Sequence, residues 1–207
     1  VIGPTSAGIY SPGKSKSGLI ACGKADKTFV PGSIGIISRS GGMCSETALV
    51  LKKAGLGVST VVSIGSDFLT GESYLELLAD FEQDSETEGI VIIGEIGGTA
   101  EEDMAHYLIH RGNSGQPFPK KIAAFISGKF AEAYNIQNIS LGHAGAIIDG
   151  DKGRRAHKIK LLKEAGVYLA DVHHDLGRLL SEALRENKAK DGLSDRTAAG
   201  LCREAEK

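Results

Sequence analysis

Apolar residues in this chain fall into short continuous runs separated by stretches of helical spacing. Ser33–Ile37, Val58–Ile64, Gly89–Ile93 and Ile122–Ile126 are such runs, rich in Ile and Val. A run that is apolar at nearly every position, rather than every second one, fits a strand covered on both faces. Between the runs, Met43–Ala54 has helical composition and stops at Gly55. Tyr74, Leu75, Leu77, Leu78 and Phe81 repeat at helical spacing, and Ala100–Ile109 reads as a helix. Further on, Arg154–Ala165 is helical, Val167–Ala170 strand-like and His174–Arg185 helical again. Strands alternating with helices of about 10–15 residues imply βαβ units and a parallel sheet. The expected fold is an α/β, flavodoxin-like, doubly wound domain over residues 31–190. Residues 1–30, rich in Gly, Pro, Ser and Lys, show no sustained period and read as turns and short strands of a linker or the remnant of an upstream domain. Segments 113–120 and 128–141 read as longer loops, and 191–207 as a polar tail.

Composition narrows the function classes. With 41% hydrophobic and 24% charged residues, the chain can bury a core of ordinary size. Its 28 glycines against 5 prolines fit many tight strand–loop–helix junctions. A formal net charge of −2 offers no electrostatic footprint for nucleic acid or an anionic membrane. No stretch approaches the roughly 20 apolar residues that span a bilayer. Cys22, Cys44 and Cys202 are scattered and odd in number, which points to a reducing compartment, cytoplasm or organelle matrix. The chain begins at Val1, so the expectation is a processed product or fragment.

In a doubly wound sheet, chemistry sits outside the carboxyl ends of the strands. Three glycine-bearing segments are expected there. Ser38-Arg39-Ser40-Gly41-Gly42 joins a strand to a helix. It reads either as a plain turn or as a phosphate cradle, in which Ser40 and the first helical amides face an anion. Gly94-Glu95-Ile96-Gly97-Gly98-Thr99 ends a buried strand. Glu95 is either part of a helix start, with Glu101 and Glu102 complementing the dipole, or a carboxylate that orients an imidazole. Gly142-His143-Ala144-Gly145 leaves a histidine among small residues, satisfied by local backbone or open to a bulky ligand.

Other features carry less. His106 and His110 lie four apart on a helix without an evident third ligand, so no metal site is assigned. His173 and His174 read as surface residues, and Lys152–Lys160, with His157, as a solvated basic helix face. Gly8–Ser15 matches the P-loop pattern, but no helix pattern follows it to hold phosphates. Asn138-Ile139-Ser140 matches a glycosylation triplet with nothing to suggest secretion.

Taken together, Ile2-Gly3-Pro4, Ser38-Arg39-Ser40-Gly41-Gly42-Met43, Gly94-Glu95-Ile96-Gly97-Gly98, Gly142-His143-Ala144-Gly145-Ala146 and Lys163-Glu164-Ala165-Gly166-Val167 resemble the succinyl-CoA synthetase α-subunit. The resemblance extends to the wider nucleotide-dependent acyl-CoA synthetase family, including the matching regions of ATP-citrate lyase and citryl-CoA synthetase. It covers residues 1–187 and places the chain in the C-terminal phosphohistidine domain of that subunit. It implies an acid–thiol ligase in which His143 is transiently phosphorylated, Glu95 orients it, and Ser38, Ser40, Gly41 and Gly42 belong to the phosphate-binding helix start. Ser45, Gly97 and Gly98 are implied near the carboxylic acid substrate. The resemblance also implies CoA and ATP or GTP with Mg2+, an ATP-grasp β-type partner and an upstream CoA-binding domain, without which the chain is expected to be inactive. Ser45 stands where succinyl-CoA synthetases tend to carry tyrosine, and Ser40-Gly41-Gly42-Met43 reads more like the citrate-activating branch. That branch is the first alternative; a non-catalytic docking domain of the same fold is the second.

Overall fold

The computed structural model describes residues 1–20, 23, 25–67, 69–134, 143, 145–148 and 152–187. Asn138 and its triplet, Gly142, Cys22, Cys202 and the 191–207 tail lie outside the described residues. In chain order the elements are β1 (Gly8–Ser11), β2 (Ser15–Ser17), α1 (Ala25–Thr28), β3 (Pro31–Ser38), α2 (Gly41–Lys53), β4 (Val58–Ser63), α3 (Tyr74–Gln83) and β5 (Gly89–Gly94). There follow α4 (Ala100–Asn113), β6 (Lys121–Ile126), α5 (Lys129–Ala133), α6 (Arg155–Glu164), β7 (Tyr168–Leu169), a 3-10 turn (His173–Asp175) and a last helix, α7, over 176–187.

The sheet order is β2-β1-β4-β3-β5-β6-β7. From β4 to β7 every pairing is parallel, the flavodoxin-type order in which the first parallel strand lies inside the second. The β1–β2 hairpin adds an antiparallel edge beside β4, so the sheet is mixed. The stretch read as a linker thus contributes to the sheet, and Tyr10, Ile20 and Phe29 are buried in its core. The P-loop match falls on this hairpin and opens no helix.

Both faces of the parallel strands are covered, which explains the apolar runs of β5 and β6, while β4 carries Ser59, Thr60 and Ser63 among its valines. Ile37, Val62, Ile90 and Ile92 pack under α3, α4 and α6, with Leu78, Met104 and Leu162. Alternate residues Ile34, Ile36, Val91 and Ile93 pack under α2 and α7, with Leu51 and Leu180. Each such side chain removed from water contributes about 1.5–3 kcal/mol before entropy is counted. At the start of α3, Ser73 and Glu76 form a capping box: each side chain accepts from the other's backbone N–H, Ser73 N to Glu76 Oε2 at 2.8 Å. Among the described residues, no helix is long and apolar enough to cross a membrane.

The neighbours β3 and β5 mark the switch point. The helix after β3 lies on one face of the sheet and the helix after β5 on the other. The crevice between them opens beyond Ser38 and Gly94.

Candidate active site

The turn leaving β3 is closed by its own side chain. Ser38 Oγ donates to the Ser40 carbonyl at 2.7 Å and accepts the Ser40 N–H at 3.1 Å. Ser38 is fully buried, so it builds the turn rather than facing a ligand. Ser40 holds the N-cap position of α2 in extended geometry (φ −106, ψ 122), and its side chain makes no capping bond. The first amides of a helix have no acceptor within it, and their dipoles favour an anion. Ser40 and Gly41 line a hollow of about 360 Å3 with Thr5, Arg39, Ser66 and Asp67, and His143 stands at its edge.

Glu95 sits just past β5, with its side chain 10% exposed. Its two oxygens are divided between two partners. Oε1 accepts from Arg39 Nε at 3.1 Å, and Oε2 lies 2.5 Å from His143 Nδ1. A carboxylate can only accept here, so Nδ1 carries a proton, and in the neutral ring Nε2 is the nitrogen with the in-plane lone pair. The His143 side chain is 44% exposed. Arg39 Nη2 also donates to the Asp67 carbonyl at 3.4 Å. Burial alone would lower the Arg39 pKa, but Glu101, Tyr74 and Glu95 together raise it above its ordinary value. The guanidinium therefore stays charged. Asp67 Oδ2 is buried there with no hydrogen-bond partner among the described residues. A second cleft, of about 140 Å3, lies on the other side of the imidazole, lined by Met43, Phe125 and Ser127 with Arg39, Ser40 and Glu95.

Described residues 143 and 145–148 lie in no helix or strand and are held by backbone bonds. Ala146 N–H donates to the His143 carbonyl at 3.0 Å and Gly145 N–H to the Ser66 carbonyl at 2.9 Å. Gly97 N–H donates to Gly153 O at 2.8 Å and Gly98 N–H to Ile147 O at 3.3 Å. Gly97 has φ +86, and a Cβ on it would lie 2.4 Å from Ile147 N. A Cβ on Gly145 would lie 2.6 Å from Arg39 Nη2. These two positions need glycine because backbone approaches backbone, or a guanidinium, at contact distance.

The three glycine segments expected to share the crevice do so in their described residues, and His143, Glu95, Ser40 and Gly41 converge there. Three implied positions do not reach the cleft as expected. Ser45 lies half-exposed in the second turn of α2 and lines neither hollow. Gly97 and Gly98 line neither hollow, and their amides donate to the Gly153 and Ile147 carbonyls. Arg39 was present in the motif without a role; nothing local predicts that its partner stands 56 residues away.

Two surface readings are corrected. Lys158, in the supposed solvated face of α6, has a fully buried side chain, because a carboxylate and two carbonyls meet its ammonium inside the core. His173 is half-buried: its Nε2 lies 2.9 Å from Thr47 Oγ1, and its ring meets Phe125 edge-on. His106 and His110 are exposed on α4, and the described residues contain no cluster of three metal-ligating side chains.

With this geometry in place, comparison with known proteins gives a concordant result. The profile of the CoA-ligase family matches residues 37–168, more than half of the chain. The chain belongs to the CoA-ligase family. Among its relatives are the α1 subunit of an ADP-forming succinate–CoA ligase from Archaeoglobus fulgidus, 39% identical over 85% of this chain and 55% of that protein. The α subunit of malate–CoA ligase from Methylorubrum extorquens is 37% identical over 89% of this chain and 57% of its own length. Among solved structures, ATP citrate lyase from Methanothrix soehngenii in complex with citrate and coenzyme A superposes with a TM-score of 0.81 at 25% identity, over 92% of this chain and 30% of that one. The chain spans little more than half the length of these curated relatives.

Proposed function

We propose that this CoA-ligase chain is the phosphoryl-accepting part of an NTP-dependent acid–thiol ligase, with His143 as the residue phosphorylated. The reading rests on one observation: the His143 imidazole is oriented by Glu95 at 2.5 Å, at the edge of the hollow formed by the start of α2. Neutral imidazole is nucleophilic at cellular pH, and a carboxylate on Nδ1–H fixes which nitrogen attacks. The Nε2 lone pair attacks the γ-phosphorus while the bond to the β-phosphate oxygen breaks, releasing the nucleoside diphosphate. The developing imidazolium charge falls on the Nδ1–H, where Glu95 offsets it. The α2 amides and Arg39 face the phosphoryl oxygens, already oriented before reaction.

A substrate carboxylate oxygen then attacks phosphorus and the N–P bond breaks, regenerating His143. The CoA thiolate attacks the resulting acyl phosphate, forming the thioester and releasing phosphate. Mg2+ would accompany the nucleotide on an ATP-grasp partner. CoA would be held by a separate CoA-binding domain. The ADP-forming naming of the Archaeoglobus relative supports ATP over GTP. Identity to succinate and malate ligases favours a C4 dicarboxylic acid. The ATP citrate lyase likeness keeps a citrate-activating enzyme as the second reading.

The test is incubation of the assembled enzyme with γ-labelled ATP. Acid-labile, base-stable label is expected on the wild type, absent from His143→Ala and slowed in Glu95→Gln. Stable labelling of His143→Ala would remove the assignment. Screening succinate, malate and citrate for thioester formation separates the branches.

A further inference from the structure

Beneath Glu95 lies a second pair of charges that the phosphoryl chemistry leaves unexplained. Lys158, on α6, and Glu101, in the first turn of α4, form an ion pair whose side chains are both 0% exposed. The Lys158 ammonium donates to the Glu95 carbonyl at 2.8 Å, to the Gly97 carbonyl at 2.7 Å and to Glu101 Oε2. All three of its N–H donors are therefore used. The other oxygen of Glu101 accepts the Glu95 N–H at 3.2 Å and the Tyr74 hydroxyl at 3.4 Å. The main chain of Glu95 is thus gripped on both sides of its Cα, its N–H by Glu101 and its C=O by Lys158.

A buried ion pair is a poor device for stability, because desolvation of both charges offsets their attraction. Its retention here calls for a different role. The residue it grips is the one whose carboxylate must meet Arg39 and His143 at the same time. A side chain aims only as well as its backbone is fixed, and a strand end is where backbone otherwise frays. The same ammonium fixes Gly97, which lies against the backbone of Ala146 and Ile147, just after His143. Both partners of the His143–Glu95 contact are therefore referred to one buried point.

We propose that Lys158 and Glu101 are positioning residues: they clamp the Glu95 backbone so that its carboxylate holds His143 as the Nδ1–H tautomer. This deepens the proposed function and rests on it for its purpose, but the clamp itself can be tested without turnover. The experiment compares two uncharged double variants of the full chain, Lys158→Met with Glu101→Leu, and Lys158→Gln with Glu101→Gln. Both remove the ion pair. Only the second keeps donors for the carbonyls and an acceptor for the Glu95 amide. Imidazole 15N NMR reads the His143 tautomer, and its pH titration reads the response of the ring to Arg39, Asp67 and Glu95, the charged groups around it.

The expected result is a fall of at least half in the Nδ1–H fraction for the Met/Leu pair, with most of it kept in the Gln/Gln pair. Folded Met/Leu protein with the wild-type tautomer and titration overturns the proposal, as does equal loss in both pairs. A readout that needs no variant is Glu95 amide hydrogen exchange in the wild type. Protection equal to that of central β5 amides is expected, and exchange at loop rates overturns the clamp. A wild type that shows the clamp but takes no label from ATP would leave this inference standing and remove the phosphohistidine reading.

Discussion

Replacing Gly97 by alanine adds one methyl group at the place where the His143 segment rests on the end of β5. Gly97 has φ +86, so alanine there pays for a left-handed backbone, about 1–2 kcal/mol. The added carbon also falls 2.4 Å from Ile147 N and 2.5 Å from Ala146 Cα, all backbone atoms that no rotamer change can clear. Overpacking of this kind costs about 1–3 kcal/mol. A total near 3 kcal/mol is expected if the segment stays docked. At about 2–4 °C per kcal/mol for a chain of this size, that is a fall in Tm of roughly 6–12 °C. The segment can instead lift away, relieving the clash and giving up the Gly97–Gly153 and Gly98–Ile147 bonds. The Tm then moves less, but His143 separates from Glu95. Calorimetry and phosphohistidine formation in the assembled enzyme, measured together, cover both outcomes. A variant that keeps its Tm within a degree and its phosphorylation rate within twofold would refute the role given to this glycine.

Two further outcomes follow from burial. Burial pushes the Cys44 thiol up to about 12, against lesser opposing bonds from Ser38 and Ser63, so it stays protonated and shielded. Peptide mapping after iodoacetamide at pH 8 should find Cys44 unmodified in the native protein and modified after unfolding; rapid native alkylation would contradict its placement. Burial also lowers the His173 pKa below 6.5, more than Glu46 raises it. The unfolded chain therefore binds more protons between the folded value and 6.5, and this group's contribution to stability is present above that window and lost as pH falls through it. Urea titrations at pH 7.5 and pH 5 should show a smaller pH-dependent loss for His173→Gln than for the wild type; equal losses would refute the assignment.

The parallel strands were legible where burial on both faces leaves nothing polar to break the run, as in Ile90-Val91-Ile92-Ile93. Their alternation with helices of ordinary length then carried the topology. The β1–β2 hairpin was not legible as part of the sheet: four residues and three residues are too short to establish a period, and its loop imitated a phosphate motif. Chemistry was legible in proportion to how local it is. The Ser40 turn and the start of α2 are contiguous, so a strand-to-helix turn there could be anticipated from Ser-Gly-Gly. Arg39 and Lys158 act on residues 56 and 57 positions away, and composition made the lysine look like a solvated face. His143 by itself was no more than a histidine among small residues; its company, through the family resemblance, made it a candidate.

On the proposed function, the charges at the crevice favour passing a phosphoryl group on over keeping it. Arg39 and Lys158 balance Glu95 and Glu101, and Asp67 adds a carboxylate to the larger hollow, so the described side chains carry no excess of positive charge before any ligand arrives. Lys158 is wholly committed below the surface, and Arg39 already shares its charge with Glu95. What remains for an incoming anion is one buried guanidinium already shared with Glu95 and the start of α2, equivalent to about half a positive charge. That is enough to orient the phosphoryl oxygens and to discriminate in favour of an anion. It is far less than a cluster of unpaired cations would supply. An intermediate bound too tightly deepens the well from which the next transfer must climb, and only interactions that strengthen toward the transition state speed the reaction. A charge added at this crevice, as by Met43→Lys on the wall of the smaller cleft, should therefore prolong the life of the phosphorylated form while slowing its discharge to the acid. Measured lifetimes that shorten with the added charge would break the link between this site's lack of excess positive charge and its turnover.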